Sequence, residues 1–279
     1  MTPQDGDGLL RTSPNSLPMG QAPRLRPAYP LFQCWPQVSF RIRRARHILL
    51  LLDFDGTLTP LHDRPEEVQL GKATRQTLRQ LVQHRRVALS IVSGRRHEDL
   101  QDRIGVGGVQ YFGLHGWEGR DGMSLATRSE WLLFCARLLL TKMPPLPGIH
   151  LEDKEMSLAM HFRKAPAPAT RELRTTIRDL VDMLGPDGLH VVEGSNVLEL
   201  LPPEIPGKGA AVRNIVRGLP LTLLPIYVGN DPSDESAFAA LPAGITVHVG
   251  DARHTTARYS LRDPGEVRSF LQRLEGELS

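Results

Sequence analysis

The sequence has 279 residues with a formal net charge of +3, and 40% of its residues are hydrophobic. This length fits one large or two modest domains, and this composition excludes a mostly disordered chain. The two cysteines, Cys34 and Cys135, are too few for a disulfide framework or a four-cysteine zinc site. The low cysteine count favours a reducing, cytoplasmic setting. No apolar run approaches the roughly 18 residues that a membrane span needs, so membrane contact is not expected.

The positive charge belongs to the N-terminal end. Residues 1–47 carry seven arginines and two aspartates, which leaves a net charge of −2 for the remainder. Seven prolines fall within residues 1–36, a density that helices and central strands do not tolerate. We therefore predict a disordered, basic tail over residues 1–44. No aromatic residues interleave with the four arginines of Arg41–Arg46 to stack on bases, so nucleic acid is not an expected partner.

Strand and helix patterns alternate from residue 47 onward. Continuous apolar runs predict strands over residues 47–53, 87–92, 110–114, 223–228 and 245–249. Helical spacing predicts helices over residues 73–84, 96–104, 208–217 and 233–241. This alternation predicts an α/β fold with a Rossmann-like parallel sheet and helices on both faces. Such sheets carry their sites at the carboxyl ends of the strands.

The middle of the chain has a different pattern. Two helices are predicted over residues 128–142 and 170–184, and four strands over residues 149–152, 156–163, 190–192 and 197–201. Two helices with four strands, inserted into a parallel-sheet domain, indicate an α+β cap. We therefore divide the folded part into a first core segment (45–118), the cap (119–203) and a second core segment (204–279).

The first strand ends in the sequence Asp53-Phe54-Asp55-Gly56-Thr57. Side chains at i and i+2 point to the same side of an extended chain, so Asp53 and Asp55 are expected to converge at the end of the sheet. Two neighbouring carboxylates repel each other unless a cation joins them, and Mg²⁺ prefers such hard oxygen ligands. Gly56 and Thr57 add backbone amides and a hydroxyl that suit phosphate oxygens.

These residues resemble the first motif of the haloacid dehalogenase superfamily of phosphatases. The resemblance implies that Asp53 is a nucleophile that becomes phosphorylated and that Asp55 is the general acid and then the general base. The second strand ends in Ser93-Gly94-Arg95, similar to the second motif, in which Ser93 would donate to a phosphate oxygen. Lys208, at the start of a helix, would neutralise the phosphate and the aspartyl group.

A late strand ends in Gly229-Asn230-Asp231-Pro232-Ser233-Asp234-Glu235, where similar proteins have Gly-Asp-Asp-x-Thr-Asp-Glu. The resemblance implies a Mg²⁺ site on Asp53, the main-chain carbonyl of Asp55 and the Asn230/Asp231 corner. Asn230 brings one negative charge less than aspartate. Asp234 would orient Lys208 or a water bound to the metal.

Four further segments resemble the trehalose-6-phosphate phosphatase family. They are Gly113-Leu114-His115-Gly116-Trp117-Glu118, Leu151-Glu152-Asp153-Lys154, Ser157-Leu158-Ala159-Met160-His161-Phe162-Arg163 and Val197-Leu198-Glu199-Leu200. The resemblance implies that Glu152, Lys154 and Glu199 hydrogen-bond glucose hydroxyls and that His115 and Gly116 join the substrate site. It implies that Arg163 either guides the phosphate or braces the closed cap. Ser195 and Asn196 stand where similar proteins often carry lysines.

The function implied by this resemblance is a Mg²⁺-dependent hydrolysis of trehalose 6-phosphate, a sugar phosphate, with a trehalose-phosphate synthase as a candidate partner. Two alternatives stay open. One is a phosphatase of another glycosyl phosphate, such as sucrose phosphate or a glycosyl-glycerate phosphate. The other, prompted by Asn230, is a weakly active regulatory partner of a trehalose-phosphate synthase.

Overall fold

The protein is described by a computed structural model that covers residues 25–62, 67–119, 127–220 and 222–278. The strands are β1 (Tyr29–Pro30), β2 (His47–Leu52), β3 (Val87–Val92), β4 (Gln110–Phe112), β5 (His150–Asp153), β6 (Leu158–His161), β7 (His190–Gly194), β8 (Val197–Leu201), β9 (Leu223–Gly229), β10 (Ile245–Val249) and β11 (Tyr259–Leu261). The helices are α1 (Trp35–Arg44), α2 (Lys72–Gln83), α3 (His97–Ile104), α4 (Thr127–Lys142), α5 (Ala167–Leu184), α6 (Lys208–Val216), α7 (Glu235–Ala239) and α8 (Pro264–Leu278).

Seven parallel strands form the larger sheet, in the order β1-β11-β10-β9-β2-β3-β4. The central strand β2 pairs with β9 on one side and β3 on the other, so that Leu52 lies opposite Val228 and Ile91. Leu50 and Leu52 pack into one apolar cluster and Leu49 and Leu51 into another. A strand covered on both faces needs a continuous apolar run, which is why β2 lacks polar alternation. The predicted α/β fold class is confirmed.

Helices cover both faces of this sheet. Side chains of α1, α2, α3 and α8 join the cluster that contains Leu50, whereas α6 and α7 contribute to the cluster that contains Leu51. The predicted helices and strands of the core are present, with ends that differ by at most two residues. None of the described helices is long and apolar enough to cross a membrane.

The N-terminal region differs from the prediction. The expectation of a disordered tail up to residue 44 is wrong for residues 29–44, which form an edge strand, a 3-10 helix and α1. Pro36 lies in the first turn of α1, where a missing N–H costs nothing, and Val38 and Ile42 are buried. Arg41 donates to the carbonyl oxygens of Ala243 and Gly244, so part of the basic cluster serves this packing. The first 24 residues lie outside the described part.

Four antiparallel strands form the second sheet, in the order β5-β6-β8-β7. Helices α4 and α5 pack on it through an apolar cluster that includes Leu133, Leu173 and Ile177. Both helices and all four strands predicted for the middle of the chain are present. We call this part the cap. Its boundaries at residues 119 and 203 stay a prediction.

Candidate active site

A cavity of about 720 Å³ is lined by residues from the carboxyl ends of the core strands and from the cap. This volume lies in the range of small-molecule sites. Twelve of the predicted site residues line it: Asp53, Asp55, Ser93, Gly94, Arg95, His115, Glu152, Lys154, Arg163, Glu199, Lys208 and Asp231. The cavity therefore joins the carboxylate pair of the core to the polar residues of the cap.

Lys208 joins two buried carboxylates at the base of the cavity. Its Nζ lies 2.7 Å from Asp53 Oδ1 and 2.7 Å from Asp234 Oδ1, and all three side chains are almost fully buried. Lys208 opens α6, and the preceding Gly207 has a φ of +88° that glycine adopts freely. Asp234 also accepts from the Tyr227 hydroxyl at 2.7 Å. The predicted role of Asp234 in orienting Lys208 agrees with this geometry.

The charges at this point do not balance. Burial raises the pKa of Asp53 to about 8, although the neighbouring Lys208 opposes the rise. Burial lowers the pKa of Lys208, but the carboxylates of Asp234 and Asp53 outweigh that effect and hold it above its usual value. One ammonium thus faces two desolvated carboxylates. A further positive charge beside Asp53 would favour its ionised form.

The second carboxylate of the pair is held by an arginine. Arg95 Nε and Nη2 donate to the two oxygens of Asp55 at 2.6 Å and 2.8 Å. The same guanidinium donates to Asp99 Oδ2 at 2.8 Å and lies over the Phe54 ring. Such a two-point contact fixes the orientation of a carboxylate, not only its charge. Arg95, the last residue of the motif Ser93-Gly94-Arg95, therefore positions the candidate general acid.

Asn230 lies beside the carboxylate pair and above a glycine turn. One polar atom of its amide lies 2.7 Å from the carbonyl oxygen of Asp55, 3.1 Å from Asp53 Oδ2 and 3.0 Å from Thr57 Oγ1. With the NH₂ group in that position, the amide donates to all three oxygens. Gly56 has a φ of +84°, and a Cβ there would come within 2.2 Å of the Asn230 amide. Only glycine fits this turn.

Two of the predicted phosphate donors are engaged inside the turn. The Gly56 amide donates to the Thr59 carbonyl at 2.8 Å, and the Thr57 amide to the Phe54 carbonyl at 3.3 Å. Within the described residues, the amides of Phe54 and Asp55 have no such partner. Gly116, expected in the substrate site, does not line the cavity; a Cβ there would lie 2.2 Å from Ala211 Cβ, so it serves packing.

Glu199 forms a polar centre at the junction of core and cap. Its oxygens accept from Lys154 Nζ at 3.1 Å and Ser157 Oγ at 2.6 Å, and lie 3.0 Å from His115 Nε2. Burial raises the pKa of Glu199, but Lys154 and His115 outweigh it and hold the pKa well below its usual range. Lys154 also donates to the carbonyl oxygen of Gly94 at 3.1 Å. Two of the three predicted hydroxyl-binding residues, Lys154 and Glu199, thus lie in direct contact with the core.

Several polar residues of the cavity were not predicted as site residues, among them His150, His161 and Arg96. His161 Nε2 lies 2.8 Å from Glu152 Oε2, and His150 lies opposite His161 on the neighbouring strand. Arg96 donates to the Lys154 carbonyl oxygen and to Glu155 of the cap. The spacing Glu152-x-Lys154 predicted that these two side chains share one face of the strand. Which residues of the neighbouring strand lie beside them depends on the register of the pair. A single sequence does not display register.

The predicted ligand Asp231 has other partners. Its carboxylate accepts from the backbone amides of Ser233 at 2.9 Å and Ser195 at 2.6 Å. Of the five residues predicted for the metal, Asp53, the Asp55 carbonyl and Asn230 converge, while the carboxylates of Asp231 and Asp234 point to other groups. Among the described residues, no three His, Cys, Asp or Glu side chains cluster as a metal site.

Two comparisons with known proteins point to one family. The family model described as Trehalose-phosphatase matches residues 51–264. The trehalose-phosphate phosphatase of Mycobacterium marinum is 34% identical over 247 residues, which cover 82% of this chain and 62% of that protein. The protein of the same name from Mycobacterium tuberculosis H37Rv is 31% identical over 250 residues, 84% of this chain and 63% of that one. The chain thus spans less than two thirds of these relatives' length.

Solved structures share the fold. The C-terminal domain of the C. albicans trehalose-6-phosphate phosphatase has a TM-score of 0.78 at 22% identity, over 91% of this chain and all of that chain. The C-terminal domain of the Candida albicans trehalose synthase regulatory protein has a TM-score of 0.63 at 14% identity, over 88% of this chain and 99% of that chain. The family model covers more than half of the sequence and its motif residues meet in one cavity, so the chain belongs to the trehalose-phosphatase family.

Proposed function

We propose that the protein is a phosphomonoesterase that hydrolyses trehalose 6-phosphate to trehalose and phosphate. The observation that carries this proposal is a single cavity that reaches both the buried Asp53, held by Lys208, and the polar residues of the cap around Glu199. Membership of the trehalose-phosphatase family and the names of the mycobacterial relatives support it. A trehalose-phosphate synthase, which makes this substrate, is the partner class that the activity implies.

The proposed reaction has two steps. Asp53 attacks phosphorus, the bond between phosphorus and the sugar oxygen breaks, and Asp55 gives that oxygen a proton. Asp55 then takes a proton from water, which attacks phosphorus and releases phosphate from Asp53. Lys208 neutralises charge on the carboxylate and the phosphoryl group. Ser93 and the amides of Phe54 and Asp55, which have no backbone partner among the described residues, are the candidate donors to the phosphoryl oxygens. Arg95 holds Asp55 in place.

The residues present fit Mg²⁺. Asp53 Oδ2 and the Asp55 carbonyl oxygen lie 3.1 Å and 2.7 Å from one polar atom of the Asn230 amide, and rotation of the amide would present its oxygen to a cation there. A carboxylate, a carbonyl and an amide oxygen are the hard donors that Mg²⁺ accepts. When bound, the ion would offset negative charge on the phosphoryl group and hold Asp53 ionised. This donor set contains one charged side chain, which predicts modest affinity.

Replacing Asn230 by aspartate is expected to tighten Mg²⁺ binding and to destabilise the metal-free protein. The introduced carboxylate would add a negative charge beside Asp53 and could no longer donate to the Asp55 carbonyl. Calorimetric titration of Asn230→Asp should give a Kd at least about tenfold lower, since ligand charge sets cation affinity. The unfolding temperature in EDTA should fall by about 4 °C or more. Asn230→Ala is the matched control and should weaken binding; an unchanged Kd in both variants would contradict the proposed site.

The polar residues of the cap are the candidate binding site for the sugar. Glu152, Lys154 and Glu199 present charged acceptors and donors to the cavity, and His161 holds Glu152. Such groups suit several hydroxyls of one sugar, and Arg163, which also lines the cavity, suits an anion. Hydrogen bonds to hydroxyls discriminate strongly against substrates that lack them. We therefore expect a disaccharide phosphate to be preferred over small phosphate esters.

The deciding experiment is phosphate release by the purified protein from trehalose 6-phosphate, with Mg²⁺ and with EDTA. A panel of sucrose phosphate, glucose 6-phosphate and a glycosyl-glycerate phosphate tests the choice of sugar. If another compound of the panel is hydrolysed faster, the proposed substrate is wrong but the proposed phosphatase mechanism still holds. Binding of trehalose 6-phosphate without release, in the presence of Mg²⁺, would favour the regulatory alternative.

A further inference from the structure

The turn between β7 and β8 reaches from the cap to the core. The backbone N–H of Ser195 donates to Asp231 Oδ2 at 2.6 Å. The contact is close, because a Cβ on Gly194 would lie 3.1 Å and 3.2 Å from the two Asp231 carboxylate oxygens. The other oxygen of Asp231 accepts from Ser233 N, which fixes the carboxylate on the core side. A hydrogen bond between a backbone amide and a carboxylate thus crosses from cap to core.

This contact lies on the strand that carries Glu199. The turn ends where β8 begins, at Val197, and Glu199 follows two residues later with its contacts to Lys154 and His115. The position of the turn therefore fixes the start of the strand that aligns the polar residues of the cap with Asp53. Neither Ser195 nor Asn196 has a charged side chain, and the contact between the turn and Asp231 is made by the backbone N–H of Ser195. A charge-assisted hydrogen bond contributes more than a neutral one.

We propose that Asp231 is a positioning residue that docks the Gly194–Asn196 turn and thereby sets the preference for substrates large enough to contact both cap and core. This proposal deepens the proposed function and rests on it for the identity of the sugar phosphate. It assigns Asp231 to docking of the cap, in place of the metal coordination expected from the sequence. A small ester that contacts only Asp53, Asp55 and Lys208 does not need this contact.

Ser195→Pro removes the donating N–H and leaves the turn intact. Ser195 has no positive φ, whereas Asn196 has a φ of +64°, and these are the signs of a type II turn, in which proline is common at the first central position. The proline ring would also occupy the space next to Asp231 Oδ2. Ser195→Ala is the matched control, because it keeps the N–H and loses only the hydroxyl.

We expect Ser195→Pro to raise KM for trehalose 6-phosphate by about tenfold or more, because the variant loses one hydrogen bond to a charged group. Ser195→Ala should stay within about twofold of the wild type. Hydrolysis of p-nitrophenyl phosphate should be the same in all three proteins. If Ser195→Pro and Ser195→Ala behave alike, or if Ser195→Pro slows both esters equally, the proposal is wrong.

A measurement without turnover separates this proposal from the proposed function. Amide hydrogen exchange of the peptide that contains Ser195 should be faster in Asp231→Ala than in the wild type, while peptides of β2 and β3 keep their protection. Unchanged exchange at the turn would overturn the docking role. If exchange is faster in Asp231→Ala but the wild type does not cleave trehalose 6-phosphate, the docking contact is supported and the proposed substrate is wrong.

Discussion

The Asp53→Asn variant is expected to lose phosphate release from trehalose 6-phosphate by at least about 10³-fold, because an amide cannot act as the nucleophile. The change is nearly isosteric, and the oxygen of the introduced amide can still accept from Lys208, whose Nζ lies 2.7 Å from the present carboxylate. It also removes one buried negative charge, so the folded state should be at least as stable as the wild type. Release of phosphate with saturating Mg²⁺ is the measurement.

Beryllium fluoride provides the complementary test of Asp53. It should attach to the Asp53 carboxylate of the wild type and fail to attach in Asp53→Asn, as followed by the unfolding temperature. Asp55→Asn is the matched control: it removes the acid that Arg95 holds but keeps the nucleophile, so it should still bind beryllium fluoride. An Asp53→Asn variant that retains a tenth of wild-type activity would exclude the aspartyl intermediate.

The sequence predicted the core of this site well because its signals are local. Asp53 and Asp55 directly follow the apolar strand β2, and parallel strands bring their carboxyl ends to one edge. Ser93 follows β3 and Lys208 opens α6, so the topology alone places all four residues together. Alternation of strand and helix was enough to predict the sheet and its covering helices.

Other features depend on pairings that a single sequence does not contain. The contact of Glu152 with His161 requires the register of two cap strands, and the contact of Asp231 with Ser195 joins segments 36 residues apart. Helix α1 was not predicted, because the many prolines before it indicated disorder. Pro36 lies in the first turn of the helix, a position that proline tolerates. Strand β11 and helix α8 lie beyond the last motif, where no functional residue pointed to a pattern.

Asn230 departs from the family motif, in which similar proteins have aspartate. The resemblance alone implied a weaker metal ligand, but the geometry adds a second property. An amide can donate to the Asp55 carbonyl and Asp53 in the absence of a cation, which aspartate cannot do. At the proposed Mg²⁺ site, asparagine is therefore expected to lower the affinity for the cation and to stabilise the metal-free protein.

Removing Lys208 is expected to destabilise the protein more than any other single change at the site. Lys208→Ala leaves the buried carboxylates of Asp53 and Asp234 facing each other without a cation. Breaking a buried ion pair on one side costs about 3–5 kcal/mol of unfolding free energy. Activity should be lost as well, because the phosphoryl group loses its ammonium. Urea unfolding followed by circular dichroism measures the first effect.

The pH dependence identifies the cause of this loss. The pKa of Asp53 is raised to about 8 even with Lys208 present, and it should rise further without it. A carboxyl whose folded pKa exceeds its unfolded value binds more protons in the folded state, so stability falls as pH rises between the two values. Below about pH 8 the Asp53 carboxyl is protonated in the folded state of both proteins, so the deficit of Lys208→Ala should be nearly constant there. The deficit should grow as the pH rises above about 8, where Asp53 ionises in the wild type and stays protonated in the variant.

Two controls complete this prediction. Lys72→Ala removes an exposed lysine at the start of α2 and should change the unfolding free energy by less than about 0.5 kcal/mol at every pH. The double variant Lys208→Met, Asp234→Asn restores an apolar and hydrogen-bonded interior and should recover much of the stability at pH 8 without recovering activity. Equal deficits of Lys208→Ala at about pH 6 and about pH 9.5 would contradict an electrostatic role and leave only lost packing of the lysine side chain.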